Sequence, residues 1–281
     1  EQIVIKQADN DVQVIGLWIH DKADNTKKAY ANDIKKFLDF VNKPLNAVTI
    51  GNIQSFMDSL NEYSPATNAR IMASVKSLFT FAHKIGYLRY NVAVPVKLPK
   101  VKNTLSERIL NEEDIQRMII LEEKPRDKAL LRLLYIAGLR ISEACNLRWR
   151  DIQPASGEGA YLNIFGKGDK TRSVLIDQKT YNELLALKGN SGPDDPVFVS
   201  QKGNALSVSQ AWRIVRRAAR KAKIDAPVSP QWFRHAHASH SLDHGAPIHL
   251  VQATLGHSSI TITSRYLHAR PNDSSSLYLL V

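Results

Sequence analysis

A single cysteine, Cys145, stands in the 281 residues of this chain, so an internal disulfide is impossible and a cysteine-cluster zinc site is excluded. Its helical spacing from Ile141 and Trp149 assigns it to a core face. Long apolar runs are also missing: nothing approaches the ~18 consecutive apolar residues of a membrane span. The opening EQIVIKQADNDV lacks a basic start followed by an apolar stretch. The expectation is therefore a soluble, cytoplasmic chain with no membrane partner. No HExxH pattern occurs. His235, His237, His240 and His244 crowd into ten residues, yet without cysteine ligands they are not expected to hold a metal. Finally, no acidic residue falls between Trp212 and Lys223, a stretch rich in arginine.

What is present is positive charge on a foldable chain. Net charge is +11 while 43% of residues are hydrophobic, which describes a folded basic protein and not a basic tail. Such a balance favours a polyanionic partner through counterion release. The length exceeds a typical domain of ~100–150 residues, so two domains are expected, divided near residue 100.

In the first half, Tyr30, Ile34, Phe37, Leu38 and Val41 recur at helical period between Thr26 and Asn42, and Ile53, Phe56, Met57 and Leu60 repeat the pattern. Ser64-Pro65 reads as a cap and first residue of a third helix carrying Ile71, Val75, Leu78, Phe79 and Ala82, which Gly86 ends. A short segment around Tyr87 to Val94 closes the unit. Outward faces carry Lys27, Lys28, Arg70 and Lys76. The run PVKLPKVKNTLSER from Pro95 to Arg108, with Lys97, Lys100 and Lys102, is an extended linker whose lysines suit a phosphate backbone.

In the second half, Asn111 caps an acidic-first helix, and the apolar ALLRLLYIAG ends at Gly138. A new helix opening at Leu139 to Ser142 puts Arg140 beside its N-terminus. Tyr161 to Phe165 and Arg172 to Ile176 read as strands joined by GKGDKT, so Lys167 rides a hairpin tip with Lys170 as the competing lysine. Ser207 or Ser209 caps a helix through Lys223 with Trp212, Val215 and Ala219 inside. Arg213, Arg216, Arg217, Arg220 and Lys221 cover the rest, and with no acids among them they point to nucleic acid.

Ser229-Pro230 opens a helix whose first turns hold Gln231 and Arg234 on one face, where a guanidinium adds its fork to free amides and makes an anion site. Pro247 starts another, with Ile248, Val251 and Leu255 buried, and Gly256 ends it before His257. On one straight helix His257 and Tyr266 would lie ~13.5 Å apart, too far to share a phosphate. Ser258-Ser259 must redirect the chain.

AGLRISE, GKGDKTR, SPQWFRHAHASH, LGHSS and TSRY, in that order and with Tyr266 nine residues after His257, resemble the tyrosine recombinase (phage integrase) family, most closely its Xer-type members. The resemblance spans nearly the whole chain. It implies a mainly α fold with a small antiparallel β-sheet in the catalytic domain, built as a two-domain DNA clamp. Residues 1–98 would form a helical, SAM-like core-binding domain, 99–108 a linker, and 109–281 the catalytic domain with its tail. It implies a site-specific DNA recombinase or integrase in which Tyr266 attacks a scissile phosphate to give a 3′-phosphotyrosyl link. Arg140, Arg234, His257 and Gln231 would bind the phosphate, and Lys167 would protonate the leaving 5′-oxygen, with no metal, ATP or other cofactor. Glu143 is expected to orient its neighbours. The partners implied are double-stranded DNA with a specific recombination site and the protein itself, a dimer per site and a tetramer in the synaptic complex, with the apolar tail Leu277 to Val281 docking between protomers. Gln231 departs from the family pattern, which has histidine there. Glutamine donates a hydrogen bond but carries no proton near neutral pH, leaving the acceptor of the Tyr266 proton unassigned. The alternatives are a DNA-binding relative of weakened catalysis and a type IB topoisomerase-like relaxing enzyme.

Overall fold

The computed structural model describes residues 7–157, 159–166 and 171–267; Lys167, Lys170 and Leu277 to Val281 lie outside them. The chain splits into two units, Glu1–Lys102 and Asn103–Val281. It is mainly helical, and its one named sheet among the described residues belongs to the second unit.

The first unit contains α1 (Asp11–Ile19), α2 (Asp24–Val41), α3 (Ile50–Ser59) and α4 (Pro65–Lys84). Caps start them: Asn10 accepts from the Gln13 amide at 3.0 Å, Thr49 forms a reciprocal box with Asn52, and Ser64 accepts from the Thr67 amide ahead of Pro65. The apolar stripes meet in an aromatic centre, where Phe37 lies edge-on to Phe56 (5.1 Å) and to Phe79 (5.9 Å). Helix α1 was not legible in the sequence. Its DVQVIGLWI exposes Val12 and Leu17 and buries only Val14 and Trp18, so no wide stripe betrays it. The segment after α4 forms turns and no helix, yet buries Leu88, Ala93 and Val96.

Two basic residues of this unit are tied into the fold. Arg70 pairs with the buried Asp33, which also accepts from Ser74 Oγ at 2.8 Å, and Lys76 donates to the carbonyls of Val94 (3.0 Å) and Val96. Part of their donor capacity is already committed. Lys28, Lys97, Lys100 and Lys102 are exposed and Lys27 is half-buried.

The second unit is built around α6 (Pro125–Ile136), whose Leu130, Leu131, Leu133 and Leu134 are all fully buried. Around it lie α5 (Glu112–Ile120), α7 (Ile141–Asn146), α8 (Gln178–Leu185), α9 (Val208–Lys221), α10 (Pro230–Asp243), α11 (Ile248–Leu255) and α12 (Ile260–Ser264). Strands β1 (Ile152–Pro154), β2 (Ala160–Phe165) and β3 (Thr171–Ile176) form an antiparallel sheet in that order, with Ile152 opposite Leu162 and Leu162 opposite Val174. Alternation turns Ala160, Leu162, Ile164, Val174 and Ile176 inward. Three-residue β1 is too short for a period to reveal.

Helix α9 corrects two expectations. Trp212 is 38% exposed, and the inner stripe is Ala211, Ile214, Val215, Ala218 and Ala219. The acids missing from the helix come from elsewhere: Arg217 pairs with Asp127 and with Glu122 (3.5 Å), and Lys221 reaches Glu122 at 3.6 Å. Both carboxylates are buried, so these two cations staple α9 to the unit. Arg213, Arg216 and Arg220 are exposed and have no ion pair among the described residues.

Candidate active site

Gly138, at φ +58°, ends α6 and turns the chain so that Arg140 becomes the N-cap of α7. A Cβ there would lie 2.7 Å from Leu255 Cδ2, so the turn demands glycine. From this position the Arg140 amide donates to Glu143 Oε2 and its Nη1 to Oε1, both at 2.8 Å. Arg172, on β3, approaches the same carboxylate with Nη1 to Oε1 at 3.0 Å and Nη2 to Oε2 at 2.8 Å, while its Nε donates to the Thr254 carbonyl at 2.7 Å. Burial alone would raise the Glu143 carboxyl, but the hydrogen bonds from Arg172 and Arg140 override it and hold it at about 2. Glu143 thus stays ionised and fixes two guanidiniums, the orienting task expected of it.

Arg234 is 1% exposed. Its Nη1 donates to the Gly138 carbonyl at 2.7 Å and its Nη2 to the Leu255 carbonyl, joining the ends of α6 and α11. The fork expected to supplement the free amides of α10 also ties these helix ends together, where carbonyls offset a buried cation. Burial and then the nearby Arg140 lower its pKa to about 10, so it remains charged at neutral pH.

Arg140, Arg172, Gln231, Arg234 and His257 all line one cleft of about 760 Å³. Gly166 and Thr171, the described residues on either side of Lys167, belong to the same wall. The guanidiniums of Arg140, Arg172 and Arg234 line this cleft, and the Glu143 carboxylate pairs with only the first two, an excess of positive charge that suits an anion with several oxygens.

His257 follows Gly256, which is left-handed at φ +62° and closes α11. Its Nδ1 lies 2.9 Å from Thr263 Oγ1, and burial followed by the charges of Arg234 and Arg140 lowers its pKa to about 4. It is neutral at pH 7 and offers a hydrogen bond, not a charge. Ser259 caps α12, and this break redirects the chain as the spacing required. The Tyr266 ring consequently stacks on His257 with centroids 6.4 Å apart and planes 7° apart. Tyr266 is 6% exposed, packed among Leu105, Ala238, Val251 and Leu255, and burial raises its pKa. Its Oη lies 2.8 Å from His235 Nδ1.

The histidine cluster disperses. His237 Nδ1 meets the Tyr135 carbonyl at 2.8 Å, His240 Nδ1 the Tyr135 hydroxyl at 2.9 Å, and His244 the Glu112 carboxylate at 3.0 Å. Among the described residues no three His, Cys, Asp or Glu side chains are arranged to hold a metal. Cys145 is buried in the core, which pushes its thiol to about 11. No helix of the described residues is long and apolar enough to cross a membrane.

Arg172 was missed as a site residue although its motif was noted. Its register was the available signal: it shares the inward-facing side of β3 with Val174 and Ile176, where a charge needs a buried partner.

A mainly helical fold whose second unit gathers arginines and a neutral histidine around one cation-lined cleft, with a buried tyrosine stacked on that histidine, defines the class. The chain belongs to the phage integrase family, whose model matches residues 108–273, while the family's N-terminal SAM-like domain matches residues 15–86. Within it, this is a Xer-like tyrosine recombinase. It is 32% identical to a tyrosine recombinase of Thermosipho africanus, over 88% of this chain and 89% of that protein. It is 33% identical to the tyrosine recombinase XerD of Chlorobaculum tepidum, over 87% of this chain and 86% of that one. The fold is shared with XerH site-specific recombinase bound to its difH substrate in a pre-cleavage complex, at TM-score 0.74 and 21% identity over 97% of this chain and 84% of that one.

Proposed function

We propose that the protein cleaves and rejoins double-stranded DNA at a specific recombination site through a covalent bond to Tyr266. The phenolic oxygen attacks the scissile phosphorus in line and displaces the 5′-oxygen, leaving a 3′-phosphotyrosyl link and a free 5′-hydroxyl. The 5′-hydroxyl of a second strand then attacks that link and releases Tyr266. Arg140 and Arg234 neutralise charge gathering on the non-bridging oxygens, with hydrogen bonds from His257 and Gln231, in the manner of an oxyanion site. Lys167 supplies the proton for the departing 5′-oxygen. Because bond energy is retained in the phosphotyrosine, the exchange requires neither ATP nor a metal.

Support comes above all from one arrangement: Arg140, Arg234, His257 and Gln231, drawn from three separate sequence motifs, line a single cleft, and Tyr266 stacks on the cleft-lining His257. The excess guanidinium charge there suits a phosphodiester. The exposed Arg213, Arg216 and Arg220 and the basic stretch with Lys97, Lys100 and Lys102 add sequence-independent phosphate contacts. Exchange between two duplexes calls for four cleaving subunits, so a dimer assembles on each site and a tetramer in the synapse, in line with the lambda integrase tetramer bound to a Holliday junction that shares this fold.

A nicked suicide duplex tests the proposal. Wild-type protein should become covalently trapped on it and the Tyr266→Phe variant should not. Absence of trapping on a duplex that the protein demonstrably binds would leave a DNA-binding relative without catalysis. Relaxation of supercoiled plasmid lacking any cognate site would instead support a topoisomerase.

A further inference from the structure

Gln231 occupies the place where the family pattern has a histidine, and its amide has no basic site for the Tyr266 proton. We propose that His235, one turn further along α10, accepts that proton as Tyr266 attacks phosphorus. The proposal rests on Tyr266 being the nucleophile.

Three observations carry it. First, His235 Nδ1 is 2.8 Å from Tyr266 Oη, which is hydrogen-bonding distance and within the reach a general base needs. Second, the other nearby imidazole is badly disposed. His257 lies parallel to the Tyr266 ring at 7° with centroids 6.4 Å apart, and its Nδ1 is engaged by Thr263 Oγ1 at 2.9 Å. Third, Tyr266 is 6% exposed, so bulk water has poor access to its hydroxyl in this position. His235 and Gln231 are four residues apart on α10 and share a helix face, so a base at 235 serves the same region as one at 231.

The surroundings suit the role. Burial, and then the charges of Arg108, Arg234 and Arg265, lower His235 to about 4, so it is neutral at pH 7, and in the tautomer that carries its hydrogen on Nε2 it presents the Nδ1 lone pair to the phenol. A bound phosphodiester adds negative charge against Arg234 and weakens one of the effects that depress His235. Its basicity therefore rises when substrate arrives. In the step, the Oη–H bond breaks and the proton moves to Nδ1. The Oη–P bond forms and the P–O5′ bond breaks, and the leaving oxygen takes its proton from the general acid. The reverse attack returns the proton to Oη.

The test is single-turnover cleavage of the suicide duplex by full-length protein at saturating concentration. His235→Asn retains a polar atom near the Nδ1 position without a basic site, and His235→Ala opens a space for added imidazole. At pH 7, His235→Asn should cleave roughly 10²- to 10³-fold more slowly than wild type at unchanged DNA affinity, with a rate that climbs about tenfold per pH unit as hydroxide substitutes for the base. Imidazole should accelerate His235→Ala and leave wild type unaffected. Cleavage by His235→Asn within about threefold of wild type would overturn the proposal, as would a slow variant with the wild-type pH profile and no imidazole rescue. No adduct from wild type, by contrast, would remove the nucleophile assignment itself, so the two failures are told apart.

Discussion

Two arginine–carboxylate clusters in the second unit use the same ingredients for different ends. Around Glu143, Arg140 and Arg172 share one buried carboxylate, with the buried Arg234 close enough to feel both their charges and that of Glu143. Around Glu122 and Asp127, the cations Arg126, Arg217 and Lys221 meet two buried carboxylates. The second cluster comes closer to internal balance and staples α9 in place. The first retains more uncompensated positive charge and presents it to a cleft. A count of arginines does not distinguish a binding site from a structural staple; the number of acids beneath them does.

The sharpest way to break this comparison is to remove one arginine from each cluster. Arg140→Ala should slow single-turnover cleavage by roughly 10²- to 10³-fold, the usual loss of one transition-state donor, with DNA binding largely retained. Arg217→Ala should leave cleavage nearly unchanged. Equal loss of cleavage in both would erase the distinction.

Stability should show the converse. Asp127→Asn leaves Arg126 and Arg217 short of a buried partner and should destabilise the protein by about 3 kcal/mol, read as a lower urea midpoint at constant slope. Cleavage at temperatures well below unfolding should survive.

A third test is acid. His235, His237 and His257 are lowered from 6.5 to about 4, so the unfolded chain binds protons that the folded chain refuses. Stability contributed by these groups is present above pH 6.5 and lost as pH falls towards 4, because the unfolded state holds more protons across that window. The melting temperature should drop between pH 7 and pH 5. Asp127→Asn should show the same pH slope, since its cluster contains no histidine.

The smallest expected effect concerns the outer face of α9. Replacing Arg213, Arg216 and Arg220 with glutamine should reduce the salt slope of DNA binding by about 2 to 3 and leave the folded stability alone. An unchanged slope would mean this face does not meet phosphate.

Much of this was legible in the chain because local chemistry set it. Asn111, Ser207 and the Ser64-Pro65 pair start their helices, and Gly138 and Gly256 take the left-handed positions that end α6 and α11. The distance argument for a break after His257 anticipated the redirection of the chain at Ser259. What escaped depends on partners far away in sequence. Arg70 meets Asp33 across 37 residues, Arg217 meets Asp127 across 90, and Arg172 meets Glu143 across 29. No periodicity encodes such pairs. Trp212 misled because hydrophobicity ranks it inside, whereas close helix packing there favours alanine at 211, 218 and 219. His235 escaped for a similar reason: it reads as an ordinary residue of its motif until the turn at Ser259 brings Tyr266 back against α10.

Peptide mapping of the trapped complex tests the central claim most directly. After nuclease and protease digestion, mass spectrometry should find the nucleotide remnant on the tryptic peptide containing Tyr266, attached through a 3′-phosphate with the 5′-hydroxyl strand released. A remnant on any other residue, or attachment through a 5′-phosphate, would contradict the account.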